Sequence, residues 1–264
     1  MGARTLPEFV DVLQQTGLYT FTSTEARDAC ASSLVAFKNA ARRLVLQERL
    51  ASPRRGFFVI VPLEYRSMGA PPPSWYVDAL MKFHKRPYYV GLLSAAALHG
   101  AAHQQPQEFQ VVTDRALRPA AAGKSRLRFI YKKRTTQTPT LELKTETGSM
   151  RVSSPEATAL DLVRYPQAAG GIGNIVTVLS ELAERIDPDR LVQAVTLDSE
   201  MASAQRVGLL LERAGAEDKV GPLATWVADR HPRTIALRAD RDVKGAPKDD
   251  RWRLLVNERI EVDE

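Results

Sequence analysis

The chain has very little cysteine and no long hydrophobic run. Its single cysteine among 264 residues, Cys30, excludes an internal disulfide framework and fits a reducing compartment. No apolar run approaches the roughly 18 residues that a membrane span needs, and no charged-then-apolar leader opens the chain. These absences argue against a membrane-spanning or disulfide-stapled protein. They predict a soluble, cytoplasmic protein that makes no contact with a membrane.

Catalytic motifs are scarce as well. A phosphate loop and a nucleophile elbow are both absent from the sequence. Among four histidines, His99 and His103 share a helical spacing, but no Glu-x-x-His arrangement surrounds them, and catalytic zinc usually needs three protein ligands. We interpret both as hydrogen-bonded core residues or as residues at a helix C-terminus. The sequence therefore predicts no catalytic residue, no metal site and no cofactor.

An acid-x-Lys pattern leaves one enzymatic alternative. Asp114 ends a predicted strand, and Glu142 and Lys144 lie on a later predicted strand. Two carboxylates that hold a divalent cation, together with a lysine, form a recurrent phosphodiesterase set. Because such a pattern arises easily by chance, a metal-dependent nuclease is retained only as the alternative to a protein that is not an enzyme.

The whole chain has a net charge of +6, and its positive charge is concentrated in the front half. Residues 1–69 hold nine Lys or Arg against six acids, and residues 70–134 hold eleven against three. Residues 135–264 hold seventeen against twenty-two. A basic front and an acidic back indicate that the front half meets a polyanion.

A triple proline divides the chain in two. Residues 70–74, APPPS, predict a stiff linker, because proline cannot continue a helix or donate a backbone hydrogen bond. The linker separates a domain of residues 1–69 from one of residues 75–264. The second domain shows mixed helix and strand patterns, is mostly helical after about residue 172, and ends on the strand-like RWRLLVNERIEV. The expected fold class is therefore α+β.

Three helices and a hairpin are predicted before the linker. Apolar residues recur at helical spacing in the first helix, Thr22–Glu25 forms a capping box for the second, and Ser32 or Ser33 caps the third. RLASPRRGFFVIVP then reads as two short strands around a Pro53–Gly56 turn. Helix, helix, helix and hairpin in this order predict a winged helix-turn-helix.

The third predicted helix has an apolar side and a polar side. Its apolar side should face the core and consists of Leu34, Phe37, Ala41, Leu44 and Val45. The opposite side consists of Val35, Ala36, Asn39, Arg42 and Arg43, with Lys38 at its border. Asn can bond adenine and Arg can bond guanine, so the polar side suits a recognition helix. An ordinary solvated helix face is the alternative interpretation.

The hairpin tip extends this prediction. Arg54 and Arg55 lie where a wing would touch phosphates or enter a minor groove, although a charged turn that keeps the edge soluble is the alternative. The predicted DNA-contacting residues are Ser33, Lys38, Asn39, Arg42, Arg43, Arg54 and Arg55.

A second basic stretch runs from Arg115 to Arg134, with eight Lys or Arg and no acid. Phe129 and Tyr131 are interleaved, as on nucleic-acid-binding surfaces. Nucleic-acid contact, docking of another acidic partner and a half-buried strand with a wet face all remain open. The possible secondary basic surface consists of Lys124, Arg126, Arg128, Lys132, Lys133 and Arg134.

Six segments in order carry a family resemblance over nearly the whole chain. They are RRGFFVIVP, PSWYVDALMKFHKRPYYVGLLSAAALHGAAHQQP, FQVVTDR, SSPEATALDLVRY, AQRVGLLLE and DDRWRLLVNERIE. In this order and spacing they resemble the AbiE-type (AbiEi) abortive-infection antitoxins, the predicted regulators of type IV toxin–antitoxin systems. The resemblance implies that Asn39, Arg42 and Arg43 contact DNA, with Arg54 and Arg55 at the wing.

The resemblance also implies a two-part function. An N-terminal winged helix would bind inverted repeats in the operon's own promoter and repress it, and a C-terminal domain would oppose a nucleotidyltransferase-like toxin encoded beside it. Family members are not known as enzymes, which argues against the catalytic interpretations. Two copies would meet the inverted repeats, as a dimer or as monomers that pair on the DNA. A stand-alone regulator without a toxin and a winged helix that binds protein are the remaining alternatives.

Overall fold

The computed structural model describes residues 5–101 and 107–260. Its helices are α1 (Leu6–Gln15), α2 (Ser23–Cys30), α3 (Leu34–Leu46), α4 (Val77–His84), α5 (Leu92–Leu98), α6 (Pro155–Arg164), α7 (Gly171–Leu182), α8 (Pro188–Asp198), α9 (Met201–Arg213) and α10 (Gly221–Ala228). Its strands are β1 (Thr20–Thr22), β2 (Leu50–Arg54), β3 (Phe57–Ile60), β4 (Tyr88–Val90), β5 (Phe109–Thr113), β6 (Ala120–Ala122), β7 (Ser125–Tyr131), β8 (Thr140–Thr145), β9 (Gly148–Ser153), β10 (Ile235–Ala236), β11 (Lys248–Asp249) and β12 (Leu254–Leu255). This mixture of helices and strands confirms the α+β class.

The chain folds into two compact units. The first unit consists of Met1–Tyr89, Gln107–Lys133 and Glu142–Arg151, and the second of Val90–Pro106, Arg134–Leu141 and Val152–Glu264. Residues 70–74, the predicted linker, lie inside the first unit, where Ala70 is buried in an apolar cluster. The predicted domain boundaries at this linker therefore do not coincide with the boundaries between the units.

Local capping signals begin the first three helices. Thr5 and Glu8 form a capping box at α1, and Thr22 and Glu25 form the predicted one at α2. The side-chain oxygen of Ser33 accepts a hydrogen bond from the backbone N–H of Ala36 and so caps α3. Such caps satisfy backbone donors that a helix leaves unpaired in its first turn, which is why the sequence predicted the starts of α2 and α3.

The hairpin formed by β2 and β3 is buried on both faces. With β1 it forms a three-stranded sheet in the order β1-β3-β2. Phe58 and Ile60 pack in a cluster with residues of α1, α2 and α3. On the other face, Phe57 and Val59 pack in a second cluster with residues of α4, β6 and β7. Burial on two faces explains the continuous apolar run FFVIV, which lacks the alternation of a half-exposed strand.

A larger sheet, most of whose residues belong to the first unit, has six strands. Their order is β6-β7-β5-β4-β9-β8. β5 pairs in parallel with β7, and β6 pairs antiparallel with β7. β6 thus lies at one edge of the sheet and β8 at the other.

Helix α6 is the centre of the second unit and packs against α5, α7, α8 and α9. Within the described residues 251–260 of the predicted strand RWRLLVNERIEV, only Leu254–Leu255 forms a strand, so the prediction is wrong for most of this part. Its last two residues lie outside the described residues. Two features interrupt extension there: Arg253 has a positive φ of 54°, and the indole of Trp252 is fully buried against Gly208. A Cβ at position 208 would lie 2.1 Å from that ring, so glycine is required for this packing.

Within the described residues, every helix is too short or too polar to cross a lipid bilayer.

Candidate nucleic-acid interface

A short turn joins α2 to α3. Ala31, the C-cap of α2, takes a left-handed conformation with a φ of 46°, and Ser33 already caps α3. Three residues therefore separate the two helices. A turn of this length is typical of helix-turn-helix units, in which the second helix enters the major groove of DNA.

Three side chains anchor α3 on the core of the first unit. Phe37, Ala41 and Leu44 are buried, as predicted. Leu34 and Val45 were also predicted to face the core, and this is wrong, because both are exposed. They lie near the helix ends and at the border of the apolar arc, where α1 and α2 do not cover them. The buried face of α3 is thus narrower than its apolar pattern.

The opposite side of α3 is exposed along its whole length. This holds for all six residues that were predicted there, namely Val35, Ala36, Lys38, Asn39, Arg42 and Arg43. Val35, Asn39, Arg42 and Leu46 follow one another at the spacing of a single helix face, which we call the outward row. Leu46 is 74% exposed and extends this row by one turn; the same helical spacing in the sequence could have indicated it.

In the described part of the chain, polar side chains of this face lack intramolecular partners. Within residues 5–101 and 107–260, Lys38, Asn39 and Arg42 form no side-chain hydrogen bond or ion pair. Arg49, just beyond the helix, instead pairs with Asp11. The donors of the outward row are therefore available to a ligand, and their spacing along one helix face suits the floor of a DNA groove.

Arg43 and Ala36 border a cleft of about 460 Å³ beside α1. Cys30 lies in the same cleft, and burial together with the nearby carboxylate of Glu8 raises the pKa of its thiol. A raised pKa keeps this thiol protonated and a poor nucleophile. Arg43 thus borders this cleft, whereas Arg42 does not line it and belongs to the outward row.

Arg54 ends β2 and Arg55 begins the turn at the hairpin tip, and these two arginines differ in environment. Arg54 Nη1 donates to the carbonyl of Pro119 at 2.9 Å, and Nη2 donates to the carbonyl of Arg118. The guanidinium also lies 5.5 Å from the centre of the Phe129 ring, and burial lowers its pKa. Arg55 is exposed. Arg54 is thus engaged within the first unit, and we leave it out of the proposed DNA contacts.

The second basic stretch does not form one surface. Lys132 is buried, with its ammonium 6.0 Å from the centre of the Tyr89 ring, and Arg128 pairs with Glu108 at 3.6 Å. Lys124, Arg126 and Lys133 are exposed in the first unit. Arg134 belongs to the second unit. Leu127 and Ile130 of β7 are both buried, and because they are three residues apart they lie on opposite faces of the strand. The alternation of a half-buried strand, one of the interpretations left open, therefore does not describe β7.

His99 is a structural residue of the second unit. It is the C-cap of α5, and its Nε2–H donates to the carbonyl of Ser153 at 2.8 Å. Burial is the main reason that the pKa of His99 is lowered. His103 lies outside the described residues. Among the residues that are described, no three His, Cys, Asp or Glu side chains are grouped so that they could hold a metal ion.

The proposed nuclease residues are not brought together. Asp114 follows β5 and lies 3.7 Å from Arg86, whereas Glu142 and Lys144 lie on β8. Two strands separate β5 from β8 in the sheet, and three strand spacings amount to about 14 Å. Glu142 accepts a hydrogen bond from Ser149 instead. This separation removes the geometric basis of the nuclease alternative, because a shared metal would need both carboxylates as ligands.

Comparisons with known proteins identify part of the chain. Residues 89–213 match the family model described as the AbiEi antitoxin C-terminal domain. The chain is also similar to the crystal structure of the RV2827C protein from Mycobacterium tuberculosis. The TM-score is 0.66 at 16% identity, over 93% of this chain and 89% of that one, and so the similarity concerns the fold alone. No curated protein matches the chain in sequence. Residues 89–213, which are 125 of the 264 residues, are therefore similar to the C-terminal domain of AbiEi antitoxins.

Proposed function

We propose that this protein is a sequence-specific DNA-binding repressor and the antitoxin of a type IV toxin–antitoxin system. The antitoxin role in general rests on the family of residues 89–213. The DNA-binding role rests on the first unit, whose three helices and hairpin have the order of a winged helix-turn-helix. In this proposal the first unit represses the operon's own promoter and the antitoxin domain opposes the toxin.

The outward row of α3 is the observation that carries the DNA-binding proposal. Asn39 can bond the N6 and N7 edge of adenine, and Arg42 can bond O6 and N7 of guanine. Val35 and Leu46 lie on either side of them and can contact thymine methyl groups. Lys38 and Arg43 flank the row, where cations contact phosphates, and Ser33 at the helix N-cap has a hydroxyl hydrogen left to donate.

The proposed target is a pair of inverted repeats. Because one α3 helix reads one half-site, two copies of the chain must bind, either as a dimer or as monomers that pair on the DNA. For two helices on one face of the duplex, half-sites lie about 34–36 Å apart or at a multiple of that distance.

Binding to the upstream promoter tests the DNA half of the proposal. A labelled fragment of the promoter should be retarded by the purified protein at a concentration that leaves a scrambled fragment of equal length free. Footprinting should protect two half-sites related by a dyad. Equal binding to both fragments at all salt concentrations would contradict sequence-specific repression.

Co-expression with the neighbouring gene tests the antitoxin half. The proposal predicts a nucleotidyltransferase-like toxin beside this gene, whose expression arrests growth and whose effect this chain reverses. An α3 variant such as Arg42→Ala should still reverse the arrest if antitoxin activity belongs to the AbiEi domain alone. Operator binding without any reversal would instead identify a stand-alone regulator.

A further inference from the structure

The side chain of Arg54 ties the hairpin tip to a distant part of the chain. Its two terminal nitrogens donate to the carbonyls of Arg118 and Pro119, which are 64 and 65 residues away in sequence. The ring of Phe129 supports the guanidinium from one side. Because the planar guanidinium presents its donors in a fixed fork, two carbonyls and a stacking ring hold it in one orientation.

This contact brings two exposed arginines close together. Arg55 follows Arg54 directly at the tip, and Arg118 supplies one of the carbonyls that Arg54 holds. Their backbones therefore lie within the reach of a single arginine side chain. Within residues 5–101 and 107–260, neither Arg55 nor Arg118 forms an ion pair or a side-chain hydrogen bond. Two free cations whose backbones are tied together suit neighbouring phosphates of a nucleic-acid backbone.

We propose that Arg54 is a positioning residue that holds Arg55 and Arg118 together as a phosphate-binding pair for the DNA backbone. The proposal rests on the proposed DNA-binding function and deepens it, because the pair extends the DNA contact beyond α3 to the segment that precedes β6. Arg54 itself touches no phosphate. Its charge is used to fix the two carbonyl groups, and the wing acts through Arg55 together with Arg118 in the segment before β6.

A double-mutant cycle on DNA affinity tests the proposal. The dissociation constant for promoter DNA is measured against salt concentration for five proteins. They are the wild type, Arg55→Ala, Arg118→Ala, Arg54→Gln and Arg54→Gln/Arg118→Ala. Arg55→Ala and Arg118→Ala should each lower the slope of log affinity against log salt concentration by about 0.9. Between about 50 and 200 mM salt, each variant should therefore lose about threefold less affinity than the wild type loses. Arg54→Gln should lower the slope at least as much. Adding Arg118→Ala to Arg54→Gln should then change little.

Arg54→Lys separates positioning from direct contact. Lysine keeps the charge but lacks the planar fork, so this variant should resemble Arg54→Gln. Near-wild-type binding by Arg54→Lys, or full additivity of Arg54→Gln and Arg118→Ala, would overturn the proposal. Circular dichroism confirms that each variant is folded. Lys144→Ala, at the opposite edge of the sheet on β8, is the matched control and should bind as wild type does.

Failure of the wider proposal gives a different result. If the wild-type protein binds promoter DNA without any salt dependence, or not at all, the DNA-binding function and the phosphate pair are both rejected. If the wild type binds with a normal salt slope and the cycle is additive, only the role of Arg54 is rejected.

Discussion

Helices α3 and α6 both carry charged and uncharged polar residues, yet they use them in opposite ways. Eight of the ten residues of α6 are buried, against three of the thirteen in α3. Polar groups of α6 have internal partners: Thr158 Oγ1 donates to the carbonyl of Ser154 at 2.8 Å, and Glu156 accepts from the backbone N–H of Asp187 at 3.2 Å. The comparison separates polar residues that support the fold from those available to a partner.

The largest expected effect is on α6. Leu162 is fully buried, so Leu162→Ala removes apolar contacts and leaves a cavity in the middle of the second unit. We expect the free energy of unfolding to fall by about 2–5 kcal/mol. Urea denaturation followed by circular dichroism measures this change. A loss below about 1 kcal/mol would mean that α6 is less central to the packing than its burial indicates.

A smaller effect is expected from acid, through His99. Its pKa in the folded protein lies below the ordinary value, mainly because the ring is buried. Between the unfolded value of about 6.5 and the folded value, the unfolded state binds more protons, so stability falls as pH drops through this window. The melting temperature at pH 5.5 should therefore be lower than at pH 7.5.

Two histidine variants assign this pH dependence. His99→Gln cannot titrate, so it should lose less stability than the wild type between the two pH values. His231→Gln changes an exposed histidine of the same unit and is the matched control, which should lose as much stability as the wild type between the two pH values. Equal pH dependence in all three proteins would contradict a role for His99.

The smallest effect on stability is expected on the outward row. Leu46→Ala makes the same chemical change as Leu162→Ala, but the side chain is 74% exposed. The free energy of unfolding should change by no more than about 0.5 kcal/mol. A loss comparable to that of Leu162→Ala would show that Leu46 packs against the protein and does not belong to a free surface.

Features that depend on a few neighbouring residues could be predicted from the sequence. The capping box of Thr22 and Glu25, the cap at Ser33 and the burial of Phe37, Ala41 and Leu44 all follow from local spacing. These patterns act within one helix, where the geometry is fixed by a period of 3.6 residues. The fold class and the exposed polar side of α3 were predictable for the same reason.

Features that depend on distant partners could not be predicted. The tip arginine Arg54 has its hydrogen-bond partners more than sixty residues away, and nothing local distinguishes it from Arg55. Lys132 lies in a basic run but is buried beside Tyr89, and Ala70 in the proline-rich segment joins an apolar cluster. Charge and proline content describe composition, whereas burial is decided by which elements pack together.

The affinity of Arg42→Ala for the upstream promoter tests the central claim most directly. Fluorescence anisotropy with wild type, Arg42→Ala and the control Lys144→Ala, all checked for folding, gives the three dissociation constants. We expect Arg42→Ala to lose about 1–3 kcal/mol of binding free energy and some preference over a scrambled sequence, with the control unchanged. A folded Arg42→Ala protein that binds the promoter as tightly and as selectively as the wild type would contradict the assignment of α3 as the recognition helix.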